Sequence, residues 1–241
     1  MRRQTHPTRW RMGIETLIQK DWVLLPGTLC SADVFTGFLD ALDIPGTRRR
    51  GVTLGRPHVE NYGDLVEVSR NAVVCGFSLG AIVAAHHAAA LEASALVLFG
   101  LNPYSDDPAK AEGRHALASD VAQNGASTAL EARLPPFNGP DPAGARQKVL
   151  KMADLTAALI EPQTRLALSR PGALQALSNC RCPVLVLTGE NDVMAPPDQG
   201  RAAAEAAPGG QFHLLTGLGH YALIEDPAAC AAALTDMEDR P

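Results

Sequence analysis

Asn71-Ala72-Val73-Val74-Cys75-Gly76-Phe77-Ser78-Leu79-Gly80-Ala81-Ile82-Val83-Ala84-Ala85 decides the fold. The apolar run ending at Cys75 reads as a buried strand, and the alanine-rich run after Gly80 reads as a helix. Between them a serine is flanked by glycines at minus two and plus two. This is the pattern of a strand-to-helix turn so tight that the serine backbone is strained and its hydroxyl stands exposed. A side chain at either glycine would collide with the neighbouring strand or helix as the chain reverses. The helix start behind Ser78 also offers free N–H groups and a favourable dipole to an anion. Five residues are a short pattern, and a plain glycine-rich turn is the alternative reading.

Strand-like runs recur on both sides. Trp22-Val23-Leu24-Leu25 ends at Pro26-Gly27, and a ragged segment over 47–54 is the candidate second strand. Ala95-Leu96-Val97-Leu98-Phe99 ends at Gly100, Pro183-Val184-Leu185-Val186-Leu187-Thr188 at Gly189, and Gln211-Phe212-His213-Leu214-Leu215 at Thr216-Gly217. Apolar runs without clean alternation, separated by helical patterns, predict a parallel sheet covered on both faces. In such sheets the chemistry gathers at the carboxyl ends of the strands.

The chain has 241 residues, enough for one sizeable α/β domain, and 46% hydrophobic content with 20% charged residues is ordinary for a globular protein. A net charge of −5 gives no reason to expect nucleic acid as a partner, and no apolar run is long enough to span a bilayer. The first twelve residues carry four arginines and no acid, with no apolar core of a secretory signal. Residues 1–21 read as a basic tail or as reduced first strands, and 22–241 as the folded domain. Five cysteines lack zinc-site spacing, and Cys180 and Cys182 are too close in sequence for an easy bridge, so a reducing cytoplasm is the default compartment.

Residues 101–161 hold six prolines around two helical stretches, near 109–130 and 143–159, with no strand-like run. They read as a helical insertion over the carboxyl edge of the sheet, a lid, with an ordinary pair of surface helices as the alternative. Its basic residues Arg114, Arg133, Arg146, Lys148 and Lys151 could meet an acidic acyl carrier. A solvated face mixed with Glu112, Asp120, Glu131 and Asp154 is the plainer account.

A serine hydroxyl needs an adjacent base, itself held by a carboxylate. Of seven histidines, His6 lies in the tail, His58 in a polar loop, His86 and His87 well along the helix after Ser78, His115 in the insertion and His213 inside the last strand. His220 alone follows the last strand in a glycine-punctuated loop, Thr216-Gly217-Leu218-Gly219-His220, ahead of a helix start with Asp226 as N-cap and Pro227 at N1. For the carboxylate, Asp192 in Gly189-Glu190-Asn191-Asp192 is the first candidate, with Asp106 after Ala95–Phe99 as the rival and Glu190 as a structural acid. An oxyanion hole needs two N–H groups. Leu79 supplies one by position, and Thr28 in Pro26-Gly27-Thr28-Leu29 is the best source of the second, a simple turn being the alternative there.

With Leu25-Pro26-Gly27-Thr28, Gly76-Phe77-Ser78-Leu79-Gly80, Gly189-Glu190-Asn191-Asp192 with Pro196, and Gly219-His220 with Glu225-Asp226-Pro227 in that order, the chain from about 22 to 233 resembles an α/β-hydrolase fold enzyme of the small lidded subgroup. The resemblance implies a three-layer α/β sandwich, a mostly parallel sheet and the triad Ser78, Asp192 and His220, with no metal or organic cofactor. Three departures stand out. Many relatives have His-Gly where this chain has Pro26-Gly27. Relatives have two further strands before this point, so a shortened sheet of about six strands with a reduced or absent antiparallel start is expected. Residues 55–69 offer only a short helix where the family has a longer one. The implied activity is hydrolysis of a small carboxylic ester or thioester. The same triad also serves carbon–carbon bond hydrolysis, acyl transfer or elimination in relatives, and some proteins of this fold are receptors with little turnover.

Overall fold

A six-stranded sheet of order β2-β1-β3-β4-β5-β6, parallel at every pairing, forms the centre of the molecule in a computed structural model that describes residues 14–238. The strands are β1 Trp22–Leu25, β2 Arg49–Gly51, β3 Val73–Phe77, β4 Ala95–Phe99, β5 Val184–Gly189 and β6 Gln211–Leu215. The expected strand count and parallel arrangement are therefore found, and among the described residues no antiparallel strand precedes β1. Residues 1–13, most of the expected basic tail and His6 with it, lie outside the described residues. Ile14–Leu17 form one helical turn ahead of β1.

Alternation along the central strands sorts side chains to the two faces. Trp22, Leu24, Val73, Cys75, Phe77, Val97, Phe99, Leu185 and Leu187 join one apolar cluster. Val23, Leu25, Val74, Leu96, Leu98, Val184 and Val186 join the other. Both faces need cover, which is why these strands are apolar throughout; each fully buried Val or Leu contributes roughly 1.5–3 kcal/mol. Helices Thr36–Ala41 and Pro227–Glu238 cover the first face. Leu79–His87, Leu174–Ser178 and Pro197–Ala206 cover the second.

Residues 55–69 form two short turns of helix, Val59–Tyr62 and Leu65–Val68. The long connection between β4 and β5 is helical. It contains Ala111–Asn124, Ala126–Glu131, Pro142–Thr156 and Ile160–Ser169, and continues past residue 161 to Leu174–Ser178. The stretch read as one helix over 109–130 is split at Gly125, whose φ of +84° cannot continue a right-handed helix. Pro142 opens the next helix, with Asp141 accepting the Gly144 N–H at 2.9 Å. No helix among the described residues is long and apolar enough to cross a membrane.

The chain leaves β1 for β2 on one side and later returns to place β3 on the other. The loops after β1 and β3 thus diverge at a switch point, where parallel sheets open a crevice at their carboxyl edge.

Candidate active site

Ser78 stands at the end of β3 with φ +49° and ψ −114°, a backbone state that non-glycine residues avoid at a cost of about 1–3 kcal/mol. Its surroundings hold it there. The Ser78 N–H donates to the Phe99 carbonyl on β4 at 3.0 Å, while the Ser78 carbonyl accepts from the Ile82 N–H at 3.1 Å and starts the helix. The flanking glycines are dictated by contact. A Cβ on Gly80 would lie 2.0 Å from the Leu25 carbonyl oxygen, and one on Gly76 2.6 Å from the Ala81 Cα.

His220 reaches Ser78 from the loop after β6, its Nε2 3.1 Å from the Ser78 Oγ. Its Nδ1 lies 2.8 Å from Asp192 Oδ2. The other oxygen of Asp192 accepts the Met194 and Ala195 N–H groups at 2.9 and 2.8 Å, which fixes the carboxylate in the loop after β5. Asp192 and His220 are almost wholly buried, so their contact is shielded from water. A carboxylate at Nδ1 favours the tautomer whose Nδ1–H donates to Asp192, leaving Nε2 to accept from the serine hydroxyl.

Glu225 was read in the sequence only as part of a helix-start motif, yet it holds the histidine loop. Its buried carboxylate accepts the N–H groups on both sides of His220, Gly219 at 2.7 Å and Tyr221 at 3.2 Å, and the Asn138 N–H at 3.3 Å. Phe77 and Tyr221 flank the imidazole with ring centroids 5.1 and 5.4 Å away, and Phe137 stacks on Tyr221 at 5.3 Å. Burial pushes the Tyr221 hydroxyl well above its ordinary titration range, so it stays neutral.

Leu79 is the first residue of its helix, so its N–H has no intrahelical acceptor. Thr28 lies in a tight turn closed by the Cys30 N–H on the Gly27 carbonyl at 3.1 Å. The next residue, Leu29, has φ +54° and gives its N–H to Gln163 Oε1 at 2.9 Å. Gln163, from helix Ile160–Ser169, is a residue that no sequence signal singles out. Thr28, Ser78, Leu79 and His220 line one cavity of about 150 Å³.

Asp106 is brought to a different partner set. Arg114 grips it with two bonds, Nε to Oδ2 at 2.8 Å and Nη2 to Oδ1 at 2.6 Å, and Arg170 Nη1 lies 2.8 Å from Oδ1. Burial pulls the Arg170 guanidinium down from its usual range and Asp106 opposes this, leaving it a cation at any ordinary pH. Glu190 accepts the Gly217 N–H at 2.8 Å, as expected of a structural acid.

Of the side chains between β4 and β5, Leu117 lines the cavity, Leu134 an adjoining one, Phe137 packs on Tyr221, Met152 lies in the core and Tyr104 is exposed. Arg133 pairs with Asp120 and Arg146 with Glu131 on a partly exposed surface, so these two basic residues stand beside acids there. Asp226 accepts the Ala229 N–H at 2.9 Å as the predicted N-cap. The Cys180 and Cys182 sulfurs are 3.5 Å apart as free, buried thiols.

A family model described as the alpha/beta hydrolase family matches residues 21–233. Among curated proteins, BpoC of Mycobacterium tuberculosis, provisionally named a non-heme bromoperoxidase, is 38% identical over 61 residues. That stretch is 25% of this chain and 23% of the relative, so the match spans less than a quarter of the relative's length. A thermophilic esterase from Thermogutta terrifontis, solved with malate bound, superposes with a TM-score of 0.71 at 21% identity, covering 90% of this chain and 88% of that one. The enol-lactonase of Burkholderia xenovorans LB400 gives 0.73 at 20% identity over 92% of each chain. At such identities the likeness is one of fold.

Proposed function

The chain belongs to the alpha/beta hydrolase family, and from that premise we propose that it is a serine hydrolase of small carboxylic esters or thioesters. One observation carries the reading: the continuous relay Ser78 Oγ, His220 Nε2, His220 Nδ1, Asp192 Oδ2, with links of 3.1 and 2.8 Å. Ser78 attacks the carbonyl carbon as His220 takes its proton. Asp192 keeps Nδ1 protonated and stabilises the imidazolium that forms. The negative charge on the carbonyl oxygen is met by the N–H groups of Leu79 and Thr28, where loss of one donor costs about 10²–10³ in kcat. His220 then returns the proton to the leaving alcohol or thiol. A water activated by the same imidazole releases the acid from the acyl-enzyme.

The helices between β4 and β5 serve as the lid in this reading. Leu117 and Leu130 from them line the cavity, and Phe137 backs the histidine through Tyr221. No organic cofactor enters the scheme. The test is turnover of p-nitrophenyl esters of graded acyl length by the wild type and Ser78→Ala. Wild-type activity that falls by about 10⁴-fold or more in the variant is expected. Unchanged turnover in Ser78→Ala overturns the assignment, and a folded wild type inert at every length favours carbon–carbon bond chemistry or a receptor with little turnover.

A further inference from the structure

The cavity beside Ser78 has an unusual charge balance. Lys110, Arg114 and Arg170 line it, and among the described residues no carboxylate does. Overall composition does not explain this, since the chain carries a net −5. The one acid near the arginines, Asp106, is spent between both of them and has only 5% of its side chain exposed. Two guanidinium groups therefore share one negative charge, and Arg170 is itself 96% buried, at 4% exposure. A buried cation that is only half neutralised is costly unless a further anion arrives.

The hydrogen bonds define what is left for that anion. Arg114 uses Nε and Nη2 on Asp106, and Arg170 uses Nη1 on Asp106 and the Ala167 carbonyl, with Nε toward the Tyr104 carbonyl. Among the described residues, no hydrogen bond occupies Nη1 of Arg114 or Nη2 of Arg170. Asn102 also lines the cavity, and its Oδ1 accepts the Tyr104 N–H at 3.0 Å, which leaves its amide NH₂ as a donor. Lys110 and Arg114 also line a second cavity of about 310 Å³ that adjoins the first, so the cations stand where the two meet.

We propose that Arg114 and Arg170, with Asn102 and Lys110, form an anion subsite that selects substrates bearing a carboxylate close to the scissile carbonyl. The inference rests on the serine hydrolase reading for the position of that carbonyl. Guanidinium forks match a carboxylate with paired, charge-assisted hydrogen bonds, which an ammonium or an amide does less well. The preferred acyl group is then the half-ester or half-thioester of a short dicarboxylic acid. Lys110, exposed at the rim, draws the anion in. A purely structural role for the Asp106 cluster would leave substrate preference untouched, and this separates the two.

The experiment compares kcat/KM for mono-p-nitrophenyl esters of succinic, glutaric and adipic acids with neutral p-nitrophenyl esters of matched chain length. For at least one length the anionic ester is preferred by roughly tenfold to a hundredfold, the range of one or two charged hydrogen bonds. In Arg114→Gln and Arg170→Gln the ratio of the two constants falls toward one. Arg114, on the partly exposed helix Ala111–Asn124, carries the test if Arg170→Gln fails to fold. Ser78-dependent hydrolysis with no anionic preference overturns the subsite and leaves the hydrolase reading standing. If neither ester is turned over, calorimetry with glutarate decides. Binding to the wild type that is lost in Arg114→Gln keeps the subsite without the hydrolase, and no binding overturns both.

Discussion

The loops after β4 and β5 leave adjacent parallel strands at the same sheet edge, and each carries a buried aspartate a few residues on. Asp192 takes two backbone N–H groups on one oxygen and a single neutral-capable ring on the other. Asp106 takes two guanidinium groups. Both are carboxylates in loops at the same sheet edge, and their neighbours differ. A carboxylate saturated by permanent cations has nothing to offer a group that must gain and lose a proton. One held by backbone amides keeps a free oxygen for it.

The comparison breaks most sharply at Asp192. Asp192→Asn keeps the shape but offers an amide where Nδ1–H needs an acceptor, so kcat for an activated ester should drop about 10⁴-fold, near 5 kcal/mol of barrier. Steady-state kinetics beside circular dichroism checks that the loss is chemical. Asp106→Asn should do the reverse. It leaves Arg170 buried against a neutral partner and costs roughly 3 kcal/mol of stability in urea unfolding, since breaking a buried pair strands the charge. Its kcat on a neutral ester should stay within about tenfold of wild type. A 10³-fold loss there would mean that the two acids were assigned the wrong way round.

The smallest effect joins the two loops. Gly100 belongs to the first, yet a Cβ on it would lie 3.1 Å from His220 Cε1 and 3.3 Å from Asp192 Oδ2, and its φ is +55°. Gly100→Ala should lower kcat by about tenfold through a displaced imidazole, with roughly 1 kcal/mol of strain besides. An unchanged kcat would show that the histidine tolerates movement that its hydrogen bonds do not suggest.

Much of this geometry was legible in the chain. Strands buried on both faces must be apolar throughout, so β1, β3, β4 and β5 announce themselves, as does the turn at Ser78, where only glycine fits on either side. The short charged β2 was only a ragged segment, because an edge strand needs no apolar run. Order along the chain ranks Asp192 ahead of Asp106 but does not exclude Asp106, since both follow strands. What separates them is Arg170, 64 residues from Asp106 and outside any motif. Gln163 was hidden for the same reason, meeting Leu29 across 134 residues of sequence. Glu225 sat in plain view, but a run of acids before a proline reads first as a helix cap. The residue that does cap is its neighbour Asp226.

The positive φ at Ser78 has a bearing on how such a protein can change under selection. Backbone strain is relieved by glycine, the one residue at ease in that conformation, and glycine has no hydroxyl. On the proposed serine hydrolase reading, the most direct stabilising substitution in this neighbourhood is therefore also an inactivating one. On that reading, a lineage or a mutant library screened for heat resistance alone would be drawn toward losing the proposed nucleophile, and only a concurrent demand for turnover would keep the serine in place.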